Sequence, residues 1–258
     1  MTTNQNASVI FTDTFTSALI HKNHEDEECQ RDYILRRKID FAVFKNRVLK
    51  PETLTPRWNL SFTKQFVDST AALLGLMTIS PLLILVAVLI KLTNPGPIFF
   101  KQSRTGYLGR QFYMYKFRTM VINAEEIKKE LAHLNEHADS SPDFKVKNDP
   151  RITPIGHILR KYSIDELPQL LNVLKGDMRL VGPRPTSFSA EKYEDHHLTR
   201  LGAYPGLTGI WQISGRSDID FDGRVKLDEE YIRNQSPATD LQILFKTPMA
   251  VMKGDGAY

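Results

Sequence analysis

Asp165 and Glu166 are adjacent carboxylates just ahead of Pro168, inside the run DPRITPIGHILRKYSIDELPQLLNVLKGDMRLVGPRP (149–185). Proline is tolerated in the first turn of a helix and not beyond it, so a helix is expected to begin at this pair. Two readings follow. Ser163-x-x-Glu166 fits a capping box, in which Glu166 reaches back to the helix start and performs no chemistry. Alternatively, the carboxylates lie beside free backbone amides, which attract phosphate. An ionised Asp165 can then attack phosphorus and hold it as an aspartyl phosphate. Glu166 would handle protons or help hold a metal. Spacing leaves both readings open.

Carboxylates repel phosphates, so a phosphate site here needs cations. Arg160 lies five residues before Asp165, and Arg184 stands in the stiff loop Gly182-Pro183-Arg184-Pro185. Lys116 and Arg118 belong to the aromatic run Tyr113-Met114-Tyr115-Lys116-Phe117-Arg118. Arginine forks match phosphate oxygens, and lysine supplies a point charge. Singly, each is an ordinary surface charge; jointly they describe a diphosphate site, although spacing does not show that they meet. No P-loop, GxGxxG or HExxH pattern is present. The seven histidines, including His133/His137 and His196/His197, lack a convincing ligand set and are read as solvent-facing.

The elements that must position these residues are legible in outline. Residues 98–104 and 111–119 are β-rich runs joined by a turn with Gly106 and Gly109, which predicts a hairpin. Residues 120–138 have a helical pattern, with Glu125 and Lys129 four apart, ended by Ser140-Ser141-Pro142-Asp143. Residues 155–175 are helical in pattern but interrupted near Pro168, and a last helical region runs from about 224 to 253. From Ser69 to Ile90 the chain carries no charge, a length that enters a bilayer. It is not a cleavable signal peptide, because it starts far from the N-terminus and has no small-residue cleavage site. Ser80-Pro81 sits in its middle and predicts a kink or break, with the Ser80 hydroxyl bonding back to a freed carbonyl. Lys64, Lys91, Lys101 and Arg104 flank the segment on both sides. Positive residues prefer the cytoplasmic side, so a helical hairpin and a kinked single span both remain open.

Composition narrows the class further. The 258 residues, 41% hydrophobic and 25% charged, exclude a polytopic membrane protein, a disordered chain and a fibrous repeat. The net charge of +4 suits a membrane surface or anionic ligands, yet gives no basic stripe for nucleic acid. Cys29, the single cysteine, excludes an internal disulfide framework and points to a reducing compartment. The basic stretch 31–50 follows an acidic run at 25–28 and fits a helix on anionic lipid, a solvated helix or a loose tail.

Four segments resemble the bacterial sugar transferase family: KQFVDSTAALLGLMTISPLLILVAVLIKL, GPIFFKQSRTGYLGRQFYMYKFRTM, the 149–185 run and PGLTGIWQISGR. The family comprises monotopic polyprenyl-phosphate hexose-1-phosphate transferases, and the resemblance covers about residues 61–258 in the right order. Residues 1–60 match none of its motifs. The C-terminal part, with Trp211-Gln212 and the ending Gly254-Asp255-Gly256-Ala257-Tyr258, is similar to the hexose-transferring branch that starts exopolysaccharide and O-antigen repeat units. The chain looks like its short, exopolysaccharide-type form.

The resemblance implies roles residue by residue. Asp165 is expected as the nucleophile that forms a covalent phosphosugar and as the magnesium ligand, with Glu166 as its partner. Lys116, Arg118, Arg160 and Arg184 fall on phosphate- and substrate-binding positions. Ser80-Pro81 falls on the break of a re-entrant hairpin with both ends in the cytoplasm. Family members often begin that hairpin with Lys-Arg; here it is Lys64-Gln65, so one headgroup-facing charge is absent while Asp68 is kept. The expected fold is α+β, mainly α, a monotopic membrane protein with a re-entrant hairpin, amphipathic interfacial helices and a small β-hairpin. Its parts are a polar extension (1–60), the membrane hairpin (61–92) and a cytoplasmic catalytic domain (93–258). The pattern around Ile155, Ile158 and Leu159 is expected to dock on the lipid interface.

The implied reaction uses a UDP-hexose donor, galactose or glucose, and undecaprenyl phosphate as acceptor, on the cytoplasmic face of a bacterial inner membrane. Membrane lipid is a partner, nucleic acid is not, and a homodimer is compatible with the sequence. Two alternatives stand beside it: a UDP-N-acetylhexosamine donor, and a non-catalytic membrane-anchored binding protein, for which Asp165→Asn would leave function intact.

Overall fold

The computed structural model describes residues 58–131, 133, 146, 148–188, 193–215 and 219–253. Most of the 1–60 extension with its acidic and basic runs, His137, Ser140-Ser141-Pro142-Asp143 and the ending 254–258 lie outside these residues. Ser61 opens the first helix: its backbone is extended and its hydroxyl accepts from the Lys64 amide. Helix α1 (Phe62–Thr93) then runs for 32 residues. The helical conformation continues through Ser80 and Pro81 without interruption, for a local reason. Pro81 has no N–H to offer the Met77 carbonyl, and the Ser80 hydroxyl donates to that carbonyl instead, at 2.8 Å.

By length and composition, α1 is long and apolar enough to cross a membrane. One stripe of it (Lys64, Asp68, Ala72, Val86, Ile90) is buried against the rest of the molecule. The opposite stripe (Phe66, Leu73, Met77, Ile84, Val88) is exposed apolar surface.

The expected hairpin is present. Strand β1 (Phe99–Thr105) pairs antiparallel with β2 (Gln111–Phe117), Phe100 opposite Lys116. Phe112 and Met114, alternate residues of β2, turn inward beneath α1, and the buried Phe117 at the strand's end falls out of that phase. Phe112 and Met114 pack with Ala72, Leu170, Val173 and Met178, and Phe117 packs with Val86, Ile90 and Leu159. Helix α2 (Ala124–Glu130) is shorter among the described residues than the expected 120–138.

The helical stretch expected over 155–175 is divided in three: helix α3 (Pro154–Lys161), a 3₁₀ turn (Ile164–Gln169) and helix α4 (Leu170–Leu174). Thr153 caps α3 by accepting from the Gly156 amide. Ser163, at φ 54°, turns the chain between α3 and the 3₁₀ segment. A small parallel sheet of β3 (Arg179–Val181) and β4 (Gly206–Thr208), unforeseen from the sequence, follows. The expected 224–253 helix is two: after the short α5 (Ile210–Ser214) come α6 (Phe221–Asn234) and α7 (Pro237–Lys253), broken at Gln235-Ser236.

A buried polar network ties the start of α1 to this C-terminal part. Lys64 Nζ lies 3.0 Å from Asp68 and 2.5 Å from Asp240. Asp240 also accepts from the Trp58 indole at 2.7 Å and the Tyr231 hydroxyl at 2.9 Å, and Asp68 accepts from the Leu180 amide. Lys64 is therefore an internal ion pair rather than a headgroup-facing charge. The interfacial expectation for α3 is also corrected. Leu159 is in the core and Ile155 packs on the same cluster, leaving Ile158 exposed. Helix α7 instead presents Leu241, Phe245, Met249 and Met252 to the outside.

Candidate active site

Strand β2 delivers Lys116, the 3₁₀ turn delivers Asp165 and Glu166, and the loop after β3 delivers Arg184. Asn172 locks the first two together. Fully buried on α4, its side chain donates to the Tyr113 carbonyl at 2.7 Å and accepts from the Tyr115 amide at 3.0 Å. It thereby satisfies the β2 edge that β1 does not pair. Glu166 is brought opposite Lys116 as a result. Lys116 Nζ donates to Glu166 Oε1 at 2.9 Å, and the Arg184 guanidinium grips both Glu166 oxygens, one of them at 2.9 Å. The capping-box reading therefore fails: the Ser163 side chain caps nothing, and Glu166 points to cations.

Asp165 is buried, and among the described residues no hydrogen bond or salt bridge ends on its carboxylate. It lines a cavity of about 960 Å³ together with Lys116, Arg160, Glu166 and Arg184. Arg160 is held by a 2.9 Å hydrogen bond from Nε to the Thr119 hydroxyl at the end of β2. Arg118 also borders the cavity, but its Nη2 is spent on the Asn94 carbonyl at the end of α1.

The family model for bacterial sugar transferases matches residues 59–254. This chain belongs to the bacterial sugar transferase family. Over 201 residues the transferase is 47% identical to the undecaprenyl-phosphate galactose phosphotransferase of Salmonella typhimurium, across 76% of this chain and 42% of that protein. It is 42% identical over 198 residues to the exopolysaccharide production protein ExoY of Rhizobium meliloti, across 76% and 88% respectively. It is 37% identical over 204 residues to the UDP-glucose:undecaprenyl-phosphate glucose-1-phosphate transferase of Xanthomonas campestris pv. campestris, across 76% and 40%. The chain thus spans less than half the length of the Salmonella and Xanthomonas relatives it matches.

The two acids of this sugar transferase are electrostatically unlike. Burial pushes the Asp165 carboxyl up to about 6, with the Glu166 charge adding to the shift and Lys116, Arg160 and Arg184 opposing it. Burial acts on Glu166 the same way, but the charges and hydrogen bonds of Arg184 and Lys116 outweigh it. They hold Glu166 well below the usual carboxylate range. Asp165 also suits a hard divalent cation: it is a carboxylate without a partner among the described residues, at the wall of the cavity. Glu166 is already claimed by two cations, which leaves Asp165 as the carboxylate of the pair that would hold such an ion.

Sequence reasoning missed supporting residues. Asn172, a lone amide in the apolar run Leu170-Leu171-Asn172-Val173-Leu174, is a signal that the sequence does carry. Arg200, buried against Asp228 at 2.6 Å, donates to the Arg184 carbonyl at 2.8 Å and so holds the Arg184 loop. Asp149 and Arg151 form a buried pair on the cavity wall, Arg151 Nε donating at 2.8 Å. His197, expected to face solvent, is instead buried and meets Asp222, a partner that is distant in sequence and so invisible in it.

Proposed function

We propose that this protein transfers hexose-1-phosphate from a UDP-hexose to undecaprenyl phosphate, releasing UMP, through a covalent phospho-Asp165 intermediate. The observation that carries the reading is the division of labour in the acid pair. Glu166 is neutralised by Lys116 and Arg184, while Asp165 stands unpartnered at the cavity wall. The names of the Salmonella and Xanthomonas relatives support the reaction class.

In the first half-reaction an ionised Asp165 oxygen attacks the donor's β-phosphorus. The bond from that phosphorus to the bridging oxygen breaks, and UMP leaves with that oxygen. Arg160 and Arg184 offset the charge gathering on the phosphates, each held in place beforehand by Thr119 and by Glu166 with Arg200. Glu166 acts as a positioning residue that aims Lys116 and Arg184. In the second half, a phosphate oxygen of undecaprenyl phosphate attacks the same phosphorus. The aspartyl bond breaks, and the carboxylate is restored with the lipid diphosphate sugar as product. Asp165 would hold magnesium, which when bound neutralises diphosphate charge.

Splitting the transfer means that the water-soluble donor and the lipid acceptor need not be bound together. The exposed apolar stripe of α1 and the Leu241–Met252 face of α7 support a placement of the cavity at the lipid headgroups. A re-entrant α1 with both ends in the cytoplasm, at a bacterial inner membrane, fits this placement. Galactose and glucose are the sugars in the names of the Salmonella and Xanthomonas relatives, and an Aeromonas hydrophila relative, 38% identical over 217 residues, is named for N-acetylgalactosamine. Plain hexose is the first reading and N-acetylhexosamine the second.

UMP release tests it. Nanodisc-held protein with undecaprenyl phosphate, magnesium and a panel of UDP-sugars is expected to release UMP with one donor, and Asp165→Asn to release none. Release that persists in Asp165→Asn, or silence across the panel from folded protein, would overturn the reading.

A further inference from the structure

Outside the lining of the catalytic cavity, behind Phe221 and Arg200 of its wall, two imidazoles converge on one carboxylate. His196 and His197 lie on the 3₁₀ segment Asp195–Gly202, and Asp222 lies in the first turn of α6. His197 Nε2 is 2.7 Å from Asp222 Oδ1, and His196 Nε2 is 3.7 Å from the same oxygen. One donor atom from each of the three residues falls within 4.8 Å of the other two. The ring centroids are 3.9 Å apart and the planes tilted by 50°. Phe221 packs edge-on against the His197 ring at 4.9 Å and fixes its direction. His197 is buried, whereas His196 and Asp222 are exposed, giving one fixed donor and two that a solute reaches.

A structural hydrogen bond needs a single imidazole per carboxylate oxygen, and here a second ring is turned onto it. The other nitrogen of that second ring faces an acid too: His196 Nδ1 lies 3.5 Å from Glu194 Oε2. A carboxylate behind a histidine stabilises the tautomer whose far nitrogen carries a lone pair, the arrangement that supports metal-bound histidines. A tetrahedral ion with bonds of about 2.0–2.1 Å sets its donor atoms about 3.3 Å apart. The present separations bracket that value, so modest rotation of the exposed His196 and Asp222 completes the geometry.

We propose that His196, His197 and Asp222 bind a divalent transition-metal ion of the zinc class, with Glu194 orienting His196 and water as the fourth ligand. The chemistry of the donors selects this class: two imidazoles and one carboxylate suit zinc or its neighbours and are poor ligands for magnesium. The ion would clamp the 195–202 segment to α6. Arg200 on that segment is paired with Asp228 of α6 and holds the Arg184 carbonyl, so the clamp braces the Arg184 loop from behind.

The test uses tag-free, chelator-treated full-length protein, with zinc chloride and magnesium chloride as probes. Bound metal is measured directly on the desalted protein, and thermal unfolding is recorded in parallel. One zinc per chain is expected to be retained, with a Tm rise of about 5–10 °C at zinc a hundredfold above its Kd and no such rise with magnesium. His196→Ala, at an exposed position, should unfold in the absence of metal as the wild type does, and Asp222→Ala, which also loses the His197 hydrogen bond, at a lower Tm; both should lose the zinc and the rise. His133→Ala, at an exposed histidine elsewhere, should keep them. Zinc not retained by the wild type, or retained equally by His196→Ala and Asp222→Ala, would overturn the site.

Discussion

Neighbours in sequence, Asp165 and Glu166 have acidities displaced in opposite directions, and this difference makes the mechanism testable by pH. In the proposed first step Asp165 reacts as its anion, so kcat/KM should fall as pH drops through about 6. The Glu166 charge is one of the causes of that raised value. Glu166→Gln should move the acidic limb of the profile to lower pH, whatever it does to the maximal rate. Stability gives an independent check. Asp165 binds its proton more tightly folded (about 6) than unfolded (3.8), so its contribution is most favourable where both states are protonated. That contribution is lost as pH rises through 6. An asparagine side chain carries no such charge, so thermal unfolding should show Asp165→Asn more stable than wild type at pH 8, by up to about 3 kcal/mol, with the difference vanishing near pH 4. The types and spacing of Asp165, Arg160, Arg184 and Lys116 were readable in the sequence. That Glu166 captures two of these cations was not, because it depends on β2 and the β3 loop meeting the 3₁₀ turn from opposite sides.

Close backbone approach decides how the elements carry these residues. Gly156 lets α3 sit against the end of β2: a Cβ there would lie 2.1 Å from the Thr119 carbonyl oxygen. Gly156→Ala should cost about 1–3 kcal/mol, read as a lower Tm, and should weaken donor binding by shifting Arg160 away from Thr119. At the start of α1, Lys64 is almost fully buried between Asp68 and Asp240. Lys64→Met leaves two buried carboxylates without their cation, so a loss of about 3–5 kcal/mol is expected in chemical denaturation. The hairpin was legible because its two runs and glycine turn are local. The interruption of 155–175 near Pro168 was legible from the proline itself, but the turn before it was not, since it rests on a left-handed Ser163 that no propensity announces. The parallel β3–β4 pair was hidden for a related reason: three-residue strands joined across a long connection leave no periodic signal.

The molecule as a whole limits how α1 meets the bilayer. A helix of 32 residues is about 48 Å long, so a straight crossing would leave its two ends on opposite faces of the membrane. Yet one strand, β2, supplies Phe112 and Met114 to the cluster holding Ala72 and Phe117 to the cluster holding Val86 and Ile90. Both halves of α1 therefore rest on a single body, and that body carries Lys116, Arg160 and Arg184, whose charges do not enter hydrocarbon. The apolar surface left on α1 runs along the side facing away from this body, continuing the need for lipid without a second aqueous compartment. Topology should follow from this packing. In a Cys29→Ser background, cysteines placed at exposed Phe62 and Leu92 should both react with a membrane-impermeant maleimide in inside-out vesicles, and neither in intact spheroplasts. Labelling of one end from each side would mean that α1 crosses the bilayer. The packing of its second half on β2 would then have to be given up, because Phe117 and Lys116 cannot lie on both sides of one membrane.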